Sequence, residues 1–154
     1  MTDFEKKLSD LGIVLPPVPK AGGVYKPVVI TGNLLFVSGQ GPLKNDGTLI
    51  KGKAGTDLSV EEAKAAARQV GLTMLSTINA HFGDPGRIKR LVKTLGMVNS
   101  SPDFDQQPAV INGFSELMAE IFGPDNGIGA RSAVGMILPN NIAVEIEAIF
   151  ELYD

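Results

Sequence analysis

Two kinds of charged side chain near the carboxyl end of the chain have the properties that hydrolytic chemistry requires. Arg131 follows a glycine-rich stretch and precedes apolar residues, and Glu145 and Glu147 lie two residues apart on one face of the last predicted strand. A guanidinium is planar and permanently charged, so it can bind a carboxylate through two hydrogen bonds. A partly buried carboxylate can orient or deprotonate water if its pKa is raised toward neutrality. These residue types suit the binding and hydrolysis of a small organic acid.

Each of these residues also has a plain structural interpretation. Arg131 can form an ion pair with a glutamate across a hairpin, which is the more common use of such an arginine. Alternating glutamates on a strand more often form a solvated face or protect a sheet edge. Tyr25 and Ser38 bracket the first predicted hairpin, and Asn112 interrupts a helical apolar pattern, positions with many structural uses. The residues alone leave both interpretations open.

The composition excludes several other kinds of chemistry. The 154 residues include no cysteine and a single histidine, His81, which we interpret as a capping or surface residue. Thiolate catalysis, cysteine-ligated metals and histidine-rich metal sites are therefore excluded, and we expect no metal and no cofactor.

The sequence also gives little support for nucleotide or nucleic-acid binding. The segment Gly39–Gly41 falls short of any phosphate-binding pattern. The net charge of −3 argues against nonspecific nucleic-acid binding. One basic cluster is the only feature that favours RNA contact, but without interleaved aromatics it is better interpreted as a solvated strand edge: Arg87, Lys89, Arg90 and Lys93.

The length predicts one domain spanning residues 1–154, with a lead-in over 1–21 and a core over 22–152. Residues 1–8 lack the basic start and apolar run of a secretory signal, and no apolar stretch approaches the roughly 18–20 residues of a membrane span. We therefore expect a cytoplasmic protein without membrane contact.

Capping boxes and hydrophobic periodicity predict an α+β sandwich with the core order β-β-α-β-α-β-β. Helices are predicted over 3–11, 60–82 and 108–123, and strands over 25–31, 34–38, 88–98, 130–138 and 142–152. Gly32-Asn33 predicts a first hairpin, and Pro139-Asn140-Asn141 predicts a terminal hairpin between the last two strands. Two helices can cover only one sheet face. Because several strands are apolar at consecutive positions, we predict a homo-oligomer that buries the other face.

Three segments of the carboxyl-terminal third and one of the first hairpin resemble the reactive-intermediate deaminase family, also called the YjgF family. The segments are Arg131–Val134, Leu138–Asn140, Val144–Ala148 and Leu35–Gln40, the last preceded by Gly32-Asn33 and Tyr25. The resemblance in element order covers about residues 22–152.

The resemblance implies a chorismate-mutase-like fold assembled as a homotrimer with clefts between subunits. It implies hydrolysis of reactive enamines and imines, such as 2-aminoacrylate and 2-imino acids, to 2-keto acids and ammonia, without metal or cofactor. By position, Arg131 would bind the substrate carboxylate and Glu145 would hold the attacking water. The pocket would be lined by Tyr25, Ser38, Asn112 and the backbone near Ala133.

The sequence departs from the family pattern at two positions beside the arginine. Ala133 stands where many members have cysteine, and Gly129 stands where proline or alanine is usual. Added residues at the amino terminus, around 101–108 and around 124–128, indicate a longer branch. Two alternative functions remain: noncatalytic binding or sensing of small carboxylates, and endoribonuclease activity, with which some relatives are described.

Overall fold

The computed structural model describes all residues, 1–154. The helices are α1 (Asp3–Asp10), α2 (Val60–His81), α3 (Gln107–Phe122) and α4 (Pro124–Gly127); the strands are β1 (Val28–Thr31), β2 (Leu34–Gln40), β3 (Ile88–Asn99), β4 (Ala130–Met136) and β5 (Val144–Leu152). Both predicted capping boxes are present, with Thr2 and Glu5 on α1 and Ser59 and Glu62 on α2. The α+β class and the core order are confirmed. The short helix α4 was not predicted.

The five strands form one sheet in the order β1-β2-β5-β3-β4. All neighbours are antiparallel except β3 and β4, which run parallel. The first hairpin, β1–β2, is as predicted, although β1 begins at Val28 and leaves Tyr25 in the preceding loop.

The predicted terminal hairpin is wrong, because β3 lies between β4 and β5. The chain leaves β4, crosses the end of β3 and enters β5 through a 3-10 turn at Pro139–Asn141, where Asn140 and Asn141 have φ values of 54° and 55°. Five alternate side chains of β5 are buried, whereas most of β4 is exposed. Burial of the more apolar strand therefore places β5 inside the sheet and β4 at its edge.

Helices α2 and α3 pack on one face of the sheet and enclose the core with the inward side chains of β2, β3 and β5. The helices approach closely at Gly113 of α3, where a Cβ atom would collide with the backbone carbonyl of Lys64 on α2. None of the helices combines the length and apolar character that a membrane span needs.

The other face of the sheet, called the outer face below, carries no helix. Apolar side chains there remain exposed, with Phe36 at 38%, Val134 at 36% and Met136 at 42% of their full accessibility. For β2, whose Leu35 and Val37 are buried on the opposite face, this agrees with the expected two-sided hydrophobicity. The oligomer expected to cover this face stays a prediction.

Candidate functional site

Glu145 lies half-buried on the outer face, beside a cleft of about 500 Å³. Three predicted site residues, Tyr25, Ser38 and Glu145, line this cleft together. Glu147 and the loop residues 19–22 complete much of the wall. We call this space the Glu145 cleft.

A β-bulge in β2 shapes the cleft. Val37 pairs with Ala148 and Gln40 pairs with Ile146, so two residues, Ser38 and Gly39, lie opposite Glu147 alone. Bulges interrupt the alternation of a strand and redirect its side chains. Here the bulge places Ser38 on the cleft wall and returns Gln40 to the buried side of the sheet.

Hydrogen bonds hold the loop before β1 against this bulge. The Ser38 hydroxyl donates to the carbonyl of Lys26 at 2.6 Å, and the Ser38 amide donates to the carbonyl of Pro27 at 2.9 Å. The Tyr25 hydroxyl accepts from the amide of Gly22 at 3.1 Å. Ser38 and Tyr25 therefore have structural partners within the chain in addition to their place in the cleft.

Gly39 makes room for the Glu145 side chain. A Cβ atom at position 39 would collide with the Glu145 carboxylate, whose Cδ would lie only 3.1 Å away. No lysine or arginine forms an ion pair with Glu145 or Glu147. The Glu145 carboxylate is thus packed against the backbone of Gly39 and faces the cleft without an ion-pair partner.

This environment raises the pKa of Glu145 above its ordinary value. Burial is the larger cause because it disfavours the charged form, and the nearby negative charge of Glu147 adds to it. A carboxyl group with a raised pKa is a stronger base once ionised, as general acid–base catalysis requires.

We expect Glu147→Gln to lower the pKa of Glu145 toward, but not to, its ordinary value, because burial remains while the repulsion is removed. Carbon NMR titration of the Glu145 carboxyl measures this pKa. In the wild type the folded state keeps the proton at pH values where the unfolded state has lost it, so stability falls as pH rises through that window. The variant should lose less stability there, and an unchanged Glu145 pKa would contradict the assigned cause.

Arg131 lies elsewhere, on β4 at the sheet edge. Its Nη1 donates to the Ser115 hydroxyl at 3.1 Å and its Nη2 to the carbonyl of Pro108 at 3.3 Å, both on α3. Arg131 forms no ion pair, so the structure does not support the cross-hairpin pairing considered from sequence. Nor does any β4–β5 hairpin exist to provide it.

A second cleft of about 430 Å³ surrounds Arg131, and Asn112 also lines it. Glu116 lies in the same lining, but its carboxylate pairs with Lys64 of α2 at 3.3 Å. A guanidinium has five N–H donors, and the two bonds to α3 leave the others available for a carboxylate ligand. We call this space the Arg131 cleft.

The two clefts lie on opposite faces of the sheet. In register, Arg131 pairs with Thr94 and Thr94 pairs with the buried Ala148, so Arg131 is on the helix-covered face. Glu145 pairs with Met97 on the outer face. Ala133, two residues after Arg131, shares the helix-covered face. Within one chain, the structure therefore does not bring Arg131 and Glu145 into a single cleft.

Sequence reasoning missed several residues of the Glu145 cleft. Gln40 and Thr77 line it from the buried side, and residues 19–22 line it from the proline-rich loop. The available signal for Gln40 was its place at the end of the segment Leu35–Gln40, which resembles the family pattern. No three Asp, Glu or His side chains form a group that could hold a metal ion.

The comparisons with known proteins agree with this fold. Residues 5–150 match the family model described as "YjgF/chorismate mutase-like, putative endoribonuclease". The chain therefore belongs to the YjgF family, as the sequence resemblance indicated.

Its relatives span nearly the whole chain. Protein TCP17 of Trypanosoma cruzi is 43% identical over 146 residues, which cover 94% of this chain and 91% of that protein. The structure of Atu1372, a protein with unknown function from Agrobacterium tumefaciens, is similar with a TM-score of 0.86 and 41% identity, covering 97% of this chain and 94% of that one. A structure from Shewanella oneidensis MR-1, described as a "putative endoribonuclease", has a TM-score of 0.91 and 31% identity, covering 98% of this chain and 100% of that one.

Proposed function

We propose that this protein hydrolyses reactive 2-imino acids and their enamine tautomers, of the 2-iminopropanoate and 2-iminobutanoate type, to 2-keto acids and ammonia. The observation that supports this most is the Glu145 carboxylate, half-buried and unpaired beside an open cleft, with a raised pKa. Membership of the YjgF family is consistent with the proposal.

The reaction needs little more than a positioned base. An enamine first takes a proton at its terminal carbon and loses one from nitrogen, which gives the imine. Glu145 accepts a proton from water while the water oxygen bonds to the imine carbon, and the C=N electron pair moves to nitrogen, which takes a proton from solvent. Protonated Glu145 then returns its proton to the nitrogen of the carbinolamine, which leaves as ammonia while the hydroxyl proton passes to solvent and the C=O bond forms. The imine carbon is already electrophilic, so positioning beside a basic group supplies much of the catalysis.

In this proposal Arg131 binds the substrate carboxylate, although it lies on the opposite sheet face from Glu145 in its own chain. A complete site then requires the Arg131 cleft of one subunit to meet the Glu145 cleft of another. The exposed apolar outer face supports such an assembly, and β4 places Arg131 at the sheet edge, where a second subunit can reach it. Asn112 would enter the site with Arg131, and Tyr25 and Ser38 with Glu145.

The test measures ammonia and 2-keto acid release from 2-iminopropanoate generated in place by an amino-acid oxidase. We expect wild-type turnover to exceed spontaneous hydrolysis and Glu145→Gln to reduce kcat roughly 100-fold or more, because the amide cannot accept the water proton. Glu151→Gln serves as a matched control, since Glu151 is also partly buried on the same strand but pairs with Lys89. Equal rates for wild type and Glu145→Gln would refute the proposal.

Variants of Arg131 and of the basic cluster, assayed beside the wild type, separate the two alternative functions. A binding protein would bind pyruvate in an Arg131-dependent manner without turnover. A ribonuclease would cleave RNA independently of Arg131 but dependent on the basic cluster. Part of that cluster is engaged within the chain, because Arg87 lies 4.5 Å from the ring centre of Phe82 and Lys89 pairs with Glu151 at 3.2 Å.

A further inference from the structure

Three side-chain hydroxyls are buried along one side of α2: those of Thr73, Ser76 and Thr77, each exposed by 4% or less. Burying a hydroxyl costs free energy unless it forms a hydrogen bond, and all three hydroxyls form one. Each contacts a different segment of the chain. Thr73 contacts Leu43 after β2, Ser76 donates to the carbonyl of Pro16 at 2.7 Å, and Thr77 contacts β2.

The contact made by Thr77 leads directly to the bulge. The Thr77 hydroxyl donates to Oε1 of Gln40 at 2.8 Å, and Nε2 of Gln40 donates to the carbonyl of Ser38 at 2.9 Å. The Gln40 side chain therefore spans the bulge from behind, and Thr77 fixes the orientation of its amide. The residue between the two ends of this bridge is Gly39, which packs against the Glu145 carboxylate.

We propose that Thr77 and Gln40 are positioning residues for Glu145, holding the Ser38–Gly39 bulge against its carboxylate so that the base keeps its place in the cleft. Glu145 itself has no ion-pair partner that would fix it. The contact with the bulge backbone is thus what shields the carboxylate from water on that side. The kinetic part of the inference rests on the proposed function, whereas the structural part does not.

The charged and titratable groups around Glu145 are few. Glu147 neighbours it on β5, and Lys20 and Tyr25 line the cleft from the loop before β1. The bulge of β2 contributes no charged or titratable group, and the cross-strand neighbour of Glu145 on β3 is the uncharged Met97. Thr77 carries no charge, so its replacement can alter the pKa of Glu145 only by changing burial or geometry.

Valine replaces threonine with nearly the same shape but removes the hydroxyl. In Thr77→Val the Gln40 amide loses its partner in a buried position, which favours rearrangement of the bulge toward water. Glu145 then gains solvent, and its pKa should fall toward its ordinary value because burial is the main cause of its elevation.

Thr73→Val is the matched control. Thr73 is equally buried on the same helix, but its hydroxyl donates to the carbonyls of Gln69 and Leu43 and makes no contact with the bulge. Thr77→Ser keeps the hydroxyl and should preserve the wild-type value. Gln40→Met removes the other half of the bridge and should reproduce the shift, which provides a second variant if Thr77→Val does not fold.

The experiment is carbon NMR titration of the Glu145 carboxyl in the full-length protein, paired with pH profiles of kcat and KM for 2-iminopropanoate. We expect Thr77→Val to lower the Glu145 pKa, to shift the acidic limb of the profile to lower pH and to reduce kcat about 3- to 10-fold with little change in KM. The inference is overturned if the Glu145 pKa is unchanged in both Thr77→Val and Gln40→Met, or if Thr73→Val shifts it equally. Absence of turnover in the wild type would refute the proposed function instead, and the NMR titration would still decide the inference.

Discussion

Oligomers assembled from a mixture of Arg131→Ala and Glu145→Gln subunits should recover about a quarter of the proposed wild-type deaminase activity, although each variant alone should be nearly inactive. The reason is that the two residues lie on opposite faces of the sheet within one chain. If a site combines Arg131 of one subunit with Glu145 of another, random mixing in equal amounts joins two intact halves in about one site of four.

Each parent variant should lose a large part of its activity. Truncating one partner of a buried charge pair costs about 2–5 kcal/mol, which corresponds to roughly 30- to 4,000-fold in kcat/KM for Arg131→Ala. Glu145→Gln removes the proposed base, for which a loss of about 100-fold or more is expected. The recovery on mixing therefore exceeds the activity of either parent many times over.

The measurement uses the two variants unfolded together and refolded as unfractionated mixtures, with activity followed against the mixing ratio. Recovery should pass through a maximum at equal amounts. The control is a mixture of wild type with a double variant, Arg131→Ala with Glu145→Gln. Mixing again changes the number of intact sites. The double variant supplies neither intact residue, so two inactive subunits cannot form an active site. Activity that stays at the parental level at every ratio would show that no site is shared between subunits.

The second large effect concerns stability. We expect Gly113→Ala to destabilise the fold by about 3 kcal/mol or more, because the added methyl group collides with the backbone carbonyl of Lys64 where α2 and α3 cross. An ordinary glycine-to-alanine change in a helix instead stabilises by about 0.5–1 kcal/mol. The sign of the effect is thus reversed by one interhelical contact.

Gly71→Ala provides the matched comparison. Its added methyl group would lie 2.6 Å from Cδ2 of Leu117, the end of a side chain that can move, rather than against backbone. We therefore expect a clearly smaller loss than for Gly113→Ala. Chemical denaturation at pH 7 gives both free energies of unfolding. Equal losses, or a gain for Gly113→Ala, would contradict the close approach of the two helices at Gly113.

Local sequence patterns determined the elements of this protein. The capping residues Ser59 and Glu62, the apolar stripe of α2 and the alternating apolar residues of Val144–Leu152 each depend on residues at most four positions apart, and the structure confirms these elements. The same patterns put Glu145 and Glu147 on one face of a strand and made Glu145 a candidate base, whose pKa the structure raises. Residue types and short spacings were sufficient to find this candidate.

Such local patterns did not predict the order of the strands in the sheet. The turn at Pro139–Asn141 is short enough for a hairpin, yet the chain crosses β3 there because the more apolar β5 gains more by burial between β2 and β3. Strand order is set by competition between whole strands for positions in the core, so it cannot be predicted from the sequence of any single segment.

The sequence by itself thus determined the helices, the strands and the kinds of side chain available for chemistry. Only the tertiary structure decided that Ser38 and Gly39 form a bulge beside Glu145, and that Arg131 faces α3 on the opposite side of the sheet. The physical reason is the sequence separation of the contacts involved. Hydrogen-bonded turns and alternating burial arise between near neighbours, whereas strand pairing and the face on which a side chain lies are set by contacts between segments far apart in the chain.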